Sequence, residues 1–284
     1  MRVGAHVSSS GGLTTAFERA SAIGAETIQI FGAPPQTWRR RKIRPEECEA
    51  FRAGMAESDI QPVFLHGPYL INLATEKPEQ LDKSKEALTG DLTLAEAAGI
   101  KGVIFHVGSH KGAGFEHVLP QIAKAIEEVL ADVPGDAWVI LENSAGSGGT
   151  VGSRFAELGA IMRAAGSPRV KVCLDTQHAY AAGYNVATKA GVEGAMAEFD
   201  REVGLEHLVA VHANDSKIEL GGGVDRHDNI GSGRIGTKGF EAIMGHPAFA
   251  EVPFLLEVPG IEGEGPDKPN VDALKKMRKK VGLR

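Results

Sequence analysis

The sequence predicts an α/β fold, a (β/α)8 TIM barrel that forms a single domain over residues 1–284 and carries a metal site at the C-terminal rim of its strands. Eight short apolar runs recur at intervals of roughly 25–46 residues, and their nearly continuous Val, Ile and Leu content is typical of strands buried on both faces. Amphipathic stretches separate these runs, which is the alternation of a parallel barrel. Six consecutive runs also end in a side chain that can bind metal, at the end of the barrel where such folds carry their chemistry.

The strands are predicted from short apolar runs and from the polar or glycine-containing segments that follow them. In order, they are Arg2–Val7, Thr27–Phe31, Pro62–Gly67, Gly102–Gly108, Trp138–Asn143, Val170–Thr176, Leu208–Asp215 and Phe254–Pro259.

The helices are predicted from amphipathic spacing and from their first turns. Pro45–Ser58 and Pro78–Ala98 each begin with Pro followed by Glu, which suits a helix N-terminus. The others are Leu13–Ile23, Glu116–Leu130, Ser153–Ala165, Ala190–Val203, Lys238–Met244 and Val271–Lys280. The glycine-rich stretches Ala145–Gly152 and Gly221–Gly223 follow the fifth and seventh strands, so we interpret them as active-site loops and not as linkers.

Composition narrows the functional classes. No apolar run approaches the roughly 20 residues of a membrane span, and the N-terminus lacks the charged and apolar regions of a secretory signal, so we expect no membrane partner and a cytoplasmic location. Cys48 and Cys173 predict neither a disulfide framework nor a thiolate zinc site. The net charge of −6 alone would argue against nucleic acid, but several bound divalent ions would place positive charge on one face, so DNA stays a candidate partner.

The candidate metal ligands are histidines and carboxylates at the strand ends. The six at the ends themselves are His66, His106, Glu142, Asp175, His212 and Glu257, and three more follow closely: His178, Asp225 and His227. Glu142 and Glu257 end otherwise apolar strands, where an unpaired carboxylate would be costly. Taken singly, a strand-end histidine is more often a hydrogen-bonded rim residue, and Asp225–His227 resembles a plain polar loop. The joint pattern predicts a metal site.

The number of ligands predicts more than one ion. Zinc takes four ligands, or three and a water, so the set above fits two or three ions that share a bridging carboxylate. Bridged ions about 3.5–4 Å apart can clamp the attacking and leaving oxygens of a phosphodiester. Imidazole and carboxylate ligands suit zinc, manganese or iron.

Three other features need an interpretation. His6 ends the first strand without a carboxylate partner in its loop, so we interpret it as a rim residue behind the ligands. His110 is a candidate phosphate contact or a residue that supports a ligand. The segment Gly231–Gly236 matches G-x-G-x-x-G, but it follows the polar residues Asp225–Asn229 and not a strand, so we reject a dinucleotide site.

Several segments carry a resemblance over nearly the whole chain. They are GAHVS at Gly4–Ser8, HGPYLINLA at His66–Ala74, FHVGSH at Phe105–His110, LENSAG at Leu141–Gly146, CLDTQHAYAAGY at Cys173–Tyr184, HANDSK at His212–Lys217, DRHDNIGSGRIG at Asp225–Gly236 and LEVPG at Leu256–Gly260. In these segments and in their order the chain resembles endonuclease IV, the metal-dependent apurinic/apyrimidinic (AP) endonuclease family of base-excision repair.

The resemblance implies three zinc ions per chain, with Mn²⁺ a substitute at one or more sites. His66, His106 and Glu142 would hold the first ion, and Glu142 would bridge to the second. The other ligands implied are Asp175, His212 and Glu257 for the second ion, and His178, Asp225 and His227 for the third. A hydroxide between the first two ions would attack the phosphorus 5′ to an abasic nucleotide, with Glu257 orienting or deprotonating it. The products would be a 3′-hydroxyl and a 5′-deoxyribose phosphate, and removal of 3′-blocking groups is also implied.

The resemblance further implies double-stranded DNA that is bent, with the abasic site turned out of the helix, a step that costs least where a base is missing. Tyr69 and Leu70, after the third strand, look like the wedge that fills the gap, although Tyr69 could equally be a rim packing residue. After the second strand the family usually has an Asn and a basic or polar residue before a Trp. This chain has Pro34-Pro35-Gln36 before Trp38, with Gln36 near the position of a DNA-penetrating residue.

A basic run follows this loop, formed by Arg39, Arg40, Arg41 and Lys42. Such a run is more often a solvated face, but it leaves a rim loop, so Arg39 and Arg40 are candidate phosphate contacts. Asp228 is a second departure, since the family often has a histidine there; it displaces no ligand.

The main alternative is a metal-dependent sugar isomerase or epimerase on the same type of barrel. Such an enzyme needs one ion and an acid/base pair, which is fewer ligands than this chain offers. The additional set His178, Asp225 and His227 therefore favours the endonuclease. We expect the protein to act as a monomer.

Overall fold

The computed structural model describes residues 1–40 and 44–283. Eight parallel strands close into a barrel, which confirms the predicted fold class. The barrel strands are β1 (Val3–His6), β2 (Ile28–Phe31), β3 (Val63–His66), β4 (Gly102–His106), β5 (Trp138–Glu142), β6 (Val170–Asp175), β7 (Leu208–His212) and β10 (Phe254–Leu256). Their order around the barrel is β1-β10-β7-β6-β5-β4-β3-β2.

The helices surround this barrel. They are α1 (Thr15–Ile23), α2 (Pro45–Ser58), α3 (Pro78–Ala98), α4 (Phe115–Asp132), α5 (Phe155–Ala165), α6 (Thr176–Ala181), α7 (Lys189–Glu202), α8 (Gly236–Met244) and α9 (Lys268–Lys280). The prolines that begin α2 and α3 occupy first-turn positions, as their sequences predicted. Among the described residues, no helix combines the length and apolarity that crossing a bilayer requires.

The buried residues form two layers, because alternate residues of a strand point to opposite faces of the sheet. One small cluster fills the barrel interior and consists of Phe64, Ile104, Ile140, Cys173, Ala210 and Leu255. The larger cluster lies between the sheet and the helices. The interior is therefore packed with side chains, and only the rim of the barrel is left for polar residues.

Each of the eight barrel strands is shorter than predicted, and the seventh and the last differ most from their predicted ranges. The seventh ends at His212, and Asp215–Ser216 forms a separate strand, β8, that pairs antiparallel with β9 (His227–Asp228). The last barrel strand ends at Leu256, one residue before Glu257. In both places, polar side chains of the rim accept hydrogen bonds from the backbone N–H groups that follow the strand. Asn214 Oδ1, for example, accepts the Glu257 N–H at 2.8 Å.

Candidate metal centre

The parallel register brings the predicted ligands to one level of the barrel. His106 is the register partner of Glu142, and Asp175 is the partner of His212. Histidine, aspartate and glutamate side chains form three groups whose ligand atoms lie within 4.8 Å of one another. We name them by their members: the first ligand set (His66, His106, Glu142), the second ligand set (Glu142, Asp175, His212, Glu257) and the third ligand set (Asp175, His178, His227).

Glu142 connects the first two sets. Its Oε2 lies 3.2 Å from His66 Nε2 and 3.5 Å from His106 Nε2. Its Oε1 lies 2.9 Å from His212 Nδ1, and the same nitrogen is 3.4 Å from Glu257 Oε2. The two oxygens of one fully buried carboxylate therefore face two different groups of ligands, which is the arrangement of a bridging ligand.

The third ligand set differs in one member from the set that the resemblance implied. Asp175 Oδ2 lies 3.6 Å from His227 Nε2 and so joins the second and third sets. Asp225 borders the set: its Oδ2 is 3.3 Å from His178 Nε2 and its Oδ1 is 3.2 Å from His227 Nε2. Asp225 is more exposed than the other carboxylates, with a side-chain exposure of 58%.

Backbone carbonyls orient three of the histidines. Nδ1 of His66 donates to Gly67 O at 2.7 Å, Nδ1 of His178 to Asn143 O at 3.0 Å, and Nδ1 of His227 to Glu257 O at 3.1 Å. Because each Nδ1 carries the proton, each Nε2 has a free lone pair directed at the carboxylates. Partners of this kind fix the ring orientation of metal-binding histidines.

Gln29 has the corresponding role for His212, and the sequence analysis missed it. Its Oε1 lies 2.8 Å from His212 Nε2, so that nitrogen donates and Nδ1 is left as the ligand atom. Its Nε2 donates to Glu257 Oε1 at 2.6 Å and lies 2.9 Å from His6 Nδ1. The signal was available: a fully buried amide in the apolar strand IQIF needs polar partners.

Two asparagines that follow strands were also missed. Asn143 Oδ1 accepts the Asp175 N–H at 2.6 Å, and Asn143 Nδ2 donates to Asp175 O at 3.0 Å. Asn214 Nδ2 donates to Asp175 Oδ2 at 2.7 Å. The Asp175 carboxylate is further fixed by the His178 N–H, which donates to Oδ1 at 2.8 Å and makes Asp175 the N-cap of α6.

The electrostatics keep the carboxylates ionised. Burial raises the pKa of Glu142, but the electrostatic effect of the neighbouring His106 and His212 outweighs burial and holds that pKa well below its ordinary value. Burial likewise raises the pKa of Glu257, and His212 together with a hydrogen bond from His6 lowers it well below the ordinary value. Ionised carboxylates beside imidazole lone pairs attract divalent cations.

One further observation indicates that the three ligand sets are suited to metal ions. His227 Nε2 is buried and has no hydrogen-bond partner among the described residues. The oxygens nearest to it belong to carboxylates, which only accept when ionised. A cation between these acceptors would satisfy all of them, so imidazole nitrogens and carboxylate oxygens here can hold metal.

The candidate DNA contacts lie on two neighbouring loops. Tyr69 is 61% exposed, and its ring packs edge-on against Phe31 and His66. Its N–H donates to Pro35 O at 3.1 Å, which ties the loop after β3 to the loop after β2. Leu70 is partly buried, whereas Gln36 is exposed. These contacts give Tyr69 both a packing role and a surface that DNA can reach.

The basic run divides into residues with different surroundings. Arg39 is exposed, as a phosphate contact requires. Arg40 instead pairs with the fully buried Asp91 of α3, which weighs against its predicted contact with DNA. Gly90 leaves the space for this pair, since a Cβ there would lie 2.7 Å from Arg40 Nε. Arg41 and Lys42 lie outside the described residues.

A cavity of about 390 Å³ adjoins the ligands. The cavity is lined on one side by ligand side chains and on the other by the loops after β3, β4 and β5. Its lining includes Tyr69, His106, Ser109, Ser144, His178 and Asp225. His110 does not line it; Nδ1 of His110 accepts the N–H groups of Gly112 and Gly114, both at 3.1 Å, so this histidine orders its own loop. A small polar ligand therefore has access to the ligand sets.

Comparison with known proteins places the chain in a family. A family model described as a xylose isomerase-like TIM barrel matches residues 17–280. A probable endonuclease 4 of Halobacterium salinarum is 40% identical over 278 residues, which is 98% of this chain and 100% of the relative. The chain belongs to the endonuclease 4 family. A probable endonuclease 4 of Aquifex aeolicus is 41% identical over 257 residues, covering 90% of this chain and 91% of the relative.

A solved structure supports the same family. The crystal structure of endonuclease IV from Thermus thermophilus superposes with a TM-score of 0.88 at 36% identity, and the superposition covers 99% of this chain and 100% of the other. A D-tagatose 3-epimerase-like protein superposes with a TM-score of 0.72 at 17% identity, a likeness that shows the fold alone. The predicted family and enzyme class are thus confirmed: this is a nuclease of the endonuclease 4 family on a TIM barrel, with histidine, aspartate and glutamate groups that could hold metal.

Proposed function

We propose that this member of the endonuclease 4 family cleaves the phosphodiester 5′ to an abasic site in duplex DNA, leaving a 3′-hydroxyl and a 5′-deoxyribose phosphate. It would act as a monomer with three zinc ions per chain, Mn²⁺ replacing zinc at one or more sites, and would also remove groups that block 3′ ends. The proposed metal ligands are the nine residues predicted from the sequence, with Asp175 shared between two ions.

One observation carries the proposal: three ligand sets are joined through shared carboxylates. Glu142 belongs to the first and second sets, and Asp175 to the second and third. A sugar isomerase or epimerase, the alternative of the same barrel type, needs one ion and an acid/base pair, so the third ligand set would have no use in it. Hydrolysis of a phosphodiester, by contrast, involves the attacking oxygen of a water, a leaving oxygen and two non-bridging oxygens, all of which ions can hold.

The ions, when bound, would supply an activated water near neutral pH and stabilise the charge that develops on the phosphate. Glu257 lies beside this position with one carboxylate oxygen held by Gln29 Nε2. Its other oxygen, Oε2, faces His212 Nδ1 at 3.4 Å. Glu257 is therefore the residue placed to orient the water or accept its proton, and Glu142 fixes the spacing of the two ligand sets.

The surface of the rim suits DNA with a missing base. Among the described residues, the exposed large hydrophobic side chains are Tyr69, Leu220, Val224 and Ile261, and all four lie on loops at this rim. Apolar side chains on a polar face are what a protein needs to fill a gap in the base stack. Tyr69 stands beside the cavity, so we assign the wedge to Tyr69 and Leu70, with Gln36 and Arg39 on the adjoining loop.

The test compares three DNA duplexes and one sugar on metal-loaded protein. A duplex with one tetrahydrofuran abasic analogue, the same duplex undamaged and a duplex with a 3′-phosphate would be incubated separately, and a ketohexose would test the alternative. We expect cleavage of the first, no cleavage of the second and dephosphorylation of the third. Epimerisation of the sugar without cleavage of the abasic duplex would contradict the proposal.

A further inference from the structure

Asp215 is a buried carboxylate that belongs to none of the three ligand sets. Its side chain has no exposed surface, although it lies only three residues beyond His212. Among the described residues, every hydrogen bond to its carboxylate comes from a backbone N–H group. A buried carboxylate without a cation needs strong hydrogen-bond donors.

Backbone N–H groups supply those donors. Asp215 Oδ2 accepts from Gly231 N at 2.9 Å and from Gly233 N at 3.0 Å. Asp215 Oδ1 accepts from Ile235 N at 2.9 Å, and the Gly236 N–H lies within 3.2 Å of both oxygens. Successive N–H groups directed at one point form an anion-binding nest.

This nest explains the G-x-G-x-x-G motif that the sequence analysis rejected as a dinucleotide site. Gly231–Gly236 does lead into a helix, because α8 begins at Gly236. In other proteins such a segment binds an external phosphate. Here the carboxylate of Asp215 occupies that position. Gly233 leaves the space for it, since a Cβ there would lie 2.6 Å from Asp215 Oδ1 and 2.5 Å from Ser216 O.

The nest joins the two ends of the segment that carries Asp225 and His227. The chain leaves Asp215 through β8, and Ser216 is the register partner of His227 in β9. Lys217 N donates to Arg226 O at 3.1 Å, and Arg234 N donates to Ser216 O at 2.7 Å. Both ends of the 217–230 segment are therefore anchored at Asp215.

We propose that Asp215, through the nest at Gly231–Gly236, is a positioning residue for the third ligand set. By fixing both ends of the segment, it sets where His227 and Asp225 stand relative to Asp175 and His178. The inference rests on the proposed function only in assuming that the third ligand set binds an ion. It predicts that loss of the Asp215 carboxylate weakens binding at that set and leaves the other two sets intact.

The test counts zinc on the full-length protein carrying Asp215→Asn. Asparagine keeps the shape but offers one acceptor oxygen, and its NH₂ group would face N–H donors. The matched control is Asp228→Asn, the register partner of Asp215, whose carboxylate accepts from the neighbouring Asn229 N–H. Gly233→Ala would disturb the same nest without a change in charge. Zinc per chain would be measured by elemental analysis after dialysis against a weak chelator, together with thermal unfolding of the metal-free forms.

We expect Asp215→Asn and Gly233→Ala to retain one zinc fewer than the wild type, and Asp228→Asn to retain the wild-type number. Added zinc should restore cleavage of abasic DNA to Asp215→Asn. Wild-type zinc content in Asp215→Asn would overturn the proposal. Two further results would also overturn it: loss of all zinc together with a lowered melting temperature of the metal-free form, and failure of both nest variants to fold. In either case Asp215 would serve the fold as a whole. Zinc counting needs no DNA, so a wild type that binds zinc but cleaves no abasic duplex would contradict the proposed function alone.

Discussion

Four histidines of the centre have a carbonyl or amide partner, and this partner determines which ring nitrogen is free to bind metal. His66, His178 and His227 present Nε2 because a carbonyl holds Nδ1, while His212 presents Nδ1 because Gln29 holds Nε2. Ring orientation is thus set by the protein before any ion binds, which reduces the reorganisation that binding requires. Glu257 shares this support, since Gln29 also donates to it.

The first residue-scale prediction concerns Glu257→Gln. We expect cleavage of abasic duplex to fall by about 10²–10⁴-fold, the usual contribution of a positioned acid or base, while most DNA binding is retained. Single-turnover cleavage and a gel-shift titration would measure the two effects. Glu262→Gln, an exposed residue of the same loop, is the control and should keep wild-type rates. An unchanged cleavage rate in Glu257→Gln would show that the assigned role is wrong.

The second residue-scale prediction concerns Tyr69→Ala. The exposed ring should fill the gap left by a missing base, and removal of an aromatic side chain that stacks on bases costs about 1–3 kcal/mol of binding. We expect weaker binding to abasic duplex and little change in binding to undamaged duplex, measured by fluorescence anisotropy. Tyr69→Phe keeps the ring and is the control. Equal loss of affinity for both duplexes would point to a packing role only.

The residues that form the three ligand sets could be found in the sequence, but the partners of the amides that support them could not. Glu142 and Glu257 stand out because a carboxylate after an apolar strand is unusual. Gln29, Asn143 and Asn214 act through amides whose partners come from other strands. Gln29 and His212 are 183 residues apart, so only the closed barrel shows that they meet.

At the scale of elements, the loop after β2 is anchored by the Arg40–Asp91 pair. Asp91 is fully buried in α3, and burial raises its pKa although Arg40 opposes that shift. Since the loop also bonds Tyr69 through Pro35, this ion pair holds in place the region that would face the lesion. The chain departs from the family pattern at Pro34 and Pro35. These two prolines lie in a loop that the Arg40–Asp91 ion pair holds against α3.

Arg40→Ala should destabilise the protein, because removing one partner of a buried ion pair leaves an uncompensated charge. The expected loss of unfolding free energy is about 3–5 kcal/mol, measured by urea denaturation. Arg39→Ala on the same loop is exposed and should cost little stability, but it should weaken DNA binding if it contacts a phosphate. Equal stability of the two variants would contradict the anchoring role of Arg40.

Long helices with marked first turns were predictable from the sequence, and short elements were not. α2 and α3 begin and end where the sequence analysis placed them, since Pro and Glu mark their starts. α6 and the β8–β9 hairpin were missed because six and two residues are too few to show a period. These short elements depend on side-chain bonds: Asp175 caps α6, and Asp215 closes the hairpin segment.

At the scale of the whole molecule, charge is distributed unevenly. The net charge of −6 includes four carboxylates gathered at the centre, Glu142, Asp175, Asp225 and Glu257. Divalent ions bound there would offset the negative charge at the rim that approaches DNA. Bound ions would thus allow the proposed action of an acidic protein on a polyanion, and we predict that metal-free protein binds DNA more weakly.

At the opposite end of the barrel, Glu26 joins the start of the chain to the last helix. Its carboxylate lies 2.6 Å from Arg278 Nη1 and 3.2 Å from Lys275 Nζ, and it accepts the Val3 N–H at 3.0 Å. Burial raises the pKa of Glu26, but the hydrogen bonds from Arg278 and Val3 outweigh burial and lower it to about 2. Glu26 therefore stabilises the folded state in its ionised form.

This lowered pKa predicts a pH-dependent stability. The contribution of Glu26 should be fully present above its unfolded-state pKa of 4.5 and should be lost as the pH falls towards 2. Glu26→Gln would remove it, so the difference in unfolding free energy between wild type and variant should shrink over that range. Urea denaturation of metal-free protein at a series of pH values would measure the difference. A difference that stays constant with pH would contradict the assignment.

The most direct test of the central claim is single-turnover cleavage of a duplex with one tetrahydrofuran abasic analogue. The assay would be run before chelation, after prolonged chelation and after zinc is returned, with end-group analysis and metal counted on the same samples. We predict incision on the 5′ side with a 3′-hydroxyl, loss of activity on chelation and recovery with two to three zinc ions per chain, the number that a shared-carboxylate centre of this kind accommodates. Absence of cleavage by fully metallated protein would contradict the account.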